Sequence, residues 1–159
     1  MPTLKDIDDS LFETSTSFYA AHDPDTEHPT MLMIHHDGGV DALPLDPLMQ
    51  NELGKDIVAA LIKKIVSRPE VSVAVFIGEA WTVSRKGVEP PPDISISECP
   101  DRREALIAVY HFPNGNVRMV HHLINRDGPH ATLERGELSG NNDEISGRFA
   151  TSTEHHTQH

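Results

Sequence analysis

The stretch from Val71 to Val83, VSVAVFIGEAWTV, constrains the chain more than any other. Its β-branched and aromatic content reads as a strand, whose side chains alternate between two faces. One face then carries Val71, Val73, Val75, Ile77, Glu79, Trp81 and Val83; the other carries Ser72, Ala74, Phe76, Gly78, Ala80 and Thr82. A carboxylate between Ile77 and Trp81 is costly to bury unless something pairs with it. Glu79 is therefore half of a structural ion pair, a group that performs chemistry, or an exposed acid at a twisted strand end.

The segments around this strand set the fold class. Upstream, MLMIHH (31–36), the turn Asp37-Gly38-Gly39 and VDALPL (40–45) read as a hairpin, because a tight turn needs residues that tolerate positive φ. Asp46-Pro47 then has the form of a helix start, with Asp as cap and Pro in the first turn. Leu53, Ile57, Leu61 and Ile65 recur every four residues, widened by Val58, Ile62 and Val66, so an amphipathic helix is expected to run to about Arg68, where Pro69 stops it. Downstream, REALIAVYHF (103–112), VRMVHHLIN (117–125) and HATLERGEL (130–138) read as strands joined by turns at 113–116 and 126–129.

The expected architecture is α+β: an antiparallel sheet of five to six strands with one main amphipathic helix packed on one face. Three regions follow. Residues 1–30 form an acidic N-terminal segment with a short helix capped by Thr3 and weakened in its second half by the TSTS run at 14–17. Residues 31–138 form a single α+β domain, and 139–159 a disordered polar tail.

The natural partner for a half-buried carboxylate is arginine, whose fork makes two hydrogen bonds at once. Pairing the strands so that residue numbers sum to about 182 sets Glu79 opposite Arg103, which makes a structural Glu79–Arg103 pair the leading expectation. The strand end Glu79-Ala80-Trp81, a Pro-containing loop, and Pro100-Asp101-Arg102-Arg103-Glu104 leading into an apolar strand together resemble small uncharacterised proteins of bacterial and phage genomes. The likeness spans about residues 31–125; it implies the domain outline and no activity.

Histidine supplies the other chemistry-bearing pattern. His35, His111 and His121 lie on three expected strands, and imidazoles sharing a corner would suit zinc or another transition metal. Paired histidines on a strand point to opposite faces, however, and no His-x-His or Cys-x-x-Cys spacing sharpens the case. No cofactor is therefore expected beyond that candidate metal. Cys99 stands beside Glu98 and Asp101, which raise a thiol pKa rather than lower it, and no Gly-rich loop precedes a helix.

Charge sets the class of partner. Thirteen basic residues stand against 25 acidic ones, a formal net of -12, which disfavours direct nucleic-acid binding. Asp6, Asp8 and Asp9 lead the acidic N-terminus, and the Pro90-Pro91-Pro92 segment stiffens an extended loop. Both are candidate interaction elements. No apolar run approaches the ~20 residues of a membrane helix, and a cytoplasmic setting is expected. The functional expectation is a non-enzymatic acidic accessory or interaction protein docking on a basic protein partner. The alternatives are a metal-binding protein or metal-assisted hydrolase using the strand histidines, and a small-molecule module with a pocket under the 85–101 loop.

Overall fold

The computed structural model describes residues 3–83 and 102–138; the Pro90-Pro91-Pro92 segment, the 85–101 loop and the 139–159 tail lie outside the described residues. The chain is an α+β protein whose elements are α1 (Leu4–Ala20), β1 (Met31–His36), β2 (Gly39–Pro44), α2 (Glu52–Val66), β3 (Val71–Val83), β4 (Arg102–His111), β5 (Val117–Asn125) and β6 (Thr132–Glu134). The six strands form one antiparallel sheet in the order β2-β1-β3-β4-β5-β6. No helix among the described residues is long and apolar enough to cross a membrane.

Over these residues the chain forms two compact units. One draws on 3–28, 79–83, 102–106 and 122–136, the other on 29–78, 107–121 and 137–138.

In the second unit the β1–β2 hairpin forms where Asp37-Gly38-Gly39 foretells it, with Met31 opposite Pro44 and His36 opposite Gly39. Gly39 has a φ of 134°, a region in which an L side chain is strained. Helix α2 starts later than Asp46-Pro47 suggests. Asp46 instead accepts the amide of Thr30 at 3.2 Å, and Leu48 and Met49 bond back to Leu45 as turns. The cap is Asn51, whose side chain accepts the Gly54 amide at 2.7 Å.

The core under α2 joins Val58, Ile62, Ile65 and Val66 to Leu32, Leu45, Val71, Ala74, Phe76, Val109 and Val117. Each full burial of such a side chain contributes about 1.5–3 kcal/mol, so packing rather than helix propensity holds α2 in place. The buried stripe is the 58–62–65–66 set. Leu53 and Ile57, expected on it, are instead 71% and 48% exposed.

In the first unit α1 begins with the expected capping box: Thr3 accepts the Asp6 amide while the Asp6 carboxylate accepts the Thr3 amide, each at 3.1 Å. The helix runs unbroken through the TSTS run to Ala20. Tertiary burial of Ser15 and Tyr19 overrides the weak local propensity there.

Candidate functional site

The first unit gathers its polar side chains around Glu79. Arg126, just past the end of β5, directs Nη2 to Glu79 Oε1 at 2.8 Å and to Glu104 Oε2 at 3.3 Å, and Nε to Glu104 Oε1 at 3.1 Å. Its Nη1 donates to the carbonyl oxygens of Pro24 at 2.7 Å and Thr26 at 3.2 Å. Every N–H of the guanidinium fork thus meets an acceptor. The other oxygen of Glu79 accepts the Tyr19 hydroxyl from α1 and the His28 amide, the latter at 2.9 Å. The Glu79 and Arg126 side chains are only 13% and 16% exposed.

Two carboxylates therefore share one guanidinium, and a phenol and a peptide amide supply the remaining donors. Burial works against the charge on Arg126, but the hydrogen bonds and charges of Glu104 and Glu79 outweigh it and hold its pKa above the ordinary arginine value. Burial, followed by donation to Glu79, raises the Tyr19 pKa well above the ordinary phenol value. Tyr19 consequently stays a donor and is not available as a base or nucleophile.

The guanidinium at Glu79 belongs to Arg126 and not to Arg103, which corrects the expected pair. Arg126 bonds Glu79 and Glu104 together, so Glu104 shares the Glu79 face and alternation along β4 sends Arg103 to the other. Arg103 is exposed and stands 4.0 Å from Glu134. Trp81, beyond Glu79, is 42% exposed with the Arg102 guanidinium 4.7 Å from its ring centre.

A second polar pair adjoins the cluster. Ser15 Oγ and His28 Nε2 are 3.1 Å apart, and both residues are buried. A hydroxyl beside an imidazole is the beginning of a nucleophilic relay. Here the nearby carboxylate of Glu79 engages the backbone amide of His28 rather than its ring, and Ser15 is 3% exposed. The pair fastens the 21–28 segment to α1, with Phe18 edge-on to the His28 ring at 5.1 Å.

The expected histidine ligands do not assemble. His35 is half-buried on β1 opposite Val73 of β3, so β3 separates it from His111 on β4. Burial, then the neighbouring His36, lowers the pKa of His35, and burial takes that of His111 to about 4. His111 borders the 112–116 turn, whereas His121 lies farther along β5 and is exposed. Among the described residues no three His, Cys, Asp or Glu side chains stand close enough to hold a metal ion.

Asp6, Asp8 and Asp9 are engaged within the unit. Asp6 serves the helix cap. Asp8 is buried and meets Arg135 at 3.2 Å, while Asp9 pairs with the same guanidinium and with Lys5 at 2.8 Å. Sequence reasoning missed Tyr19, His28, Arg126 and Arg135. Compared with protein-family models, curated proteins and solved structures, the chain matches none.

Proposed function

We propose that the chain is a non-catalytic interaction protein that docks on a basic protein partner. The observation that carries this reading is the saturation of the cluster around Glu79. Its carboxylate and its guanidinium are both committed to internal partners, so the group best equipped for chemistry among the described residues fastens the fold. The formal charge of -12 supplies the attraction for a basic surface. Acids that face solvent, among them Glu13, Asp23, Asp25, Glu27, Asp37 and Glu70, carry that charge outward. Such steering is long-ranged at low salt and screened at high salt.

Affinity capture from the native host with the full chain tests the reading. A basic protein should be retained in stoichiometric amount at about 0.1 M salt and released at about 1 M, as the screening length falls from about 10 Å to about 3 Å. Retention of an acidic protein, or capture indifferent to salt, would overturn it.

A further inference from the structure

We propose that β2 is the docking strand: its open edge accepts an extended segment of the basic partner, in which apolar and basic side chains alternate, as an added sheet strand. The inference rests on the reading above and supplies its place and its chemistry.

Among the described residues strand β2 lies at one end of the sheet with no strand on its outer side, and all six of its residues are exposed. The Leu45 amide bonds the Thr30 carbonyl at 2.8 Å, and Thr30 and Leu45 continue the register in which Met31 faces Pro44. Hydrogen-bonded and non-bonded pairs alternate along an antiparallel ladder. Gly39, Asp41 and Leu43 therefore point their peptide groups at β1. Val40 and Ala42 point both N–H and C=O outward, and Pro44 presents an outward carbonyl. An exposed edge of this kind is a template for another strand.

Side chains along the edge define what fits. Val40, 50% exposed, shares one face with Ala42, which favours apolar side chains on the incoming strand. The other face carries Leu43, 38% exposed, and Asp41. The Asp41 carboxylate lies 3.0 Å from His36 Nε2 without a hydrogen bond between them, and its side chain remains 70% exposed, leaving it open to a donor from outside. No Lys or Arg occurs between Pro29 and Gly54, whereas Asp37, Asp41, Asp46 and Glu52 do. Natural sheets guard open edges with lysine; this edge has none, and its acids favour basic side chains on the visitor.

A second copy of the chain fits less well. With Asp41 on the two-fold axis, two carboxylates face each other across a close pair, which is destabilising. With Ala42 or Leu43 on the axis, Pro44 falls where an N–H is needed and cannot donate. Asp41 and Pro44 thus discourage self-pairing and leave the edge open to a different sequence.

The test uses the full chain and a labelled, end-capped peptide alternating valine and lysine, with a valine–glutamate peptide as control. Binding is read by fluorescence anisotropy. The lysine peptide should bind and the glutamate peptide should not. Ala42→Pro removes an outward N–H at an edge position where proline is tolerated, and should weaken binding about tenfold without lowering the melting temperature. Hydrogen exchange on the wild-type chain gives a readout independent of any variant: the Val40 and Ala42 amides should slow on peptide addition.

Equal binding of the glutamate peptide, equal binding by Ala42→Pro, or unchanged exchange at Val40 and Ala42 would each overturn the assignment. So would a wild-type dimer that Ala42→Pro converts to monomer. If Ala42→Pro still captures the native basic partner in a salt-sensitive way, the edge is excluded while the docking function stands. If no salt-sensitive partner is captured by the wild type, the docking function itself falls.

Discussion

Arg126 holds two carboxylates and two carbonyl oxygens at once, so its loss strands several buried groups together. Arg126→Leu leaves Glu79 and Glu104 as neighbouring acids without a counter-charge and should cost about 3–5 kcal/mol of stability. Arg103→Ala removes only an exposed contact and should cost no more than about 1 kcal/mol. Urea unfolding of the two variants separates them, and equal losses would contradict the observed pairing. Glu79 was legible in the sequence because it interrupts an apolar face. Its partner was not, because a shift of one residue in strand register exchanges the two faces and turns Arg103 away. A signal for Arg126 was present: the turn expected at 113–116 joins two strands, and counting back along both arms brings Arg126 to the end where Glu104 lies.

At the scale of the element, α2 depends on its first turn. An added Cβ at Gly54 would stand 1.9 Å from the Leu48 carbonyl oxygen, a contact that backbone must move to relieve. Gly54→Ala should therefore destabilise by about 1–3 kcal/mol, although alanine is the better helix former. Asn51→Ala removes the cap and should cost about 1 kcal/mol. Thermal melts would check both, and a stabilised Gly54→Ala variant would contradict this packing. The hairpin at 37–39 was readable because glycine supplies conformations that other residues resist. The start of α2 was misread because Asp-Pro signals a turn as well as a helix. The continuity of α1 was hidden for a different reason: the burial of Ser15 and Tyr19 depends on residues distant in sequence.

For the molecule as a whole, acidification sets two effects against each other. Protonation relieves repulsion among surface acids, but at physiological salt that repulsion is screened over about 8 Å and is weak. His111 is fully buried with a pKa of about 4, against an ordinary 6.5 that the unfolded chain regains. Between those values the unfolded state binds the extra proton, so the neutral imidazole's contribution is present above pH 6.5 and declines as pH falls toward 4. Its full size is about 3 kcal/mol, which exceeds the screened surface effect. The melting temperature should drop between pH 7 and pH 4.5, and His111→Gln should flatten that slope; a slope unchanged by the substitution would count against it. The reach of Arg126 has a last consequence, in the order of synthesis. Pro24 and the arginine that binds its carbonyl are 102 residues apart, so the ribosome completes α1, α2 and the strands β1 to β5 before the cation that settles Glu79 is made. Helix α1 emerges well before that cation, an interval in which a nascent chain carries its least favourable charge exposed and uncompensated.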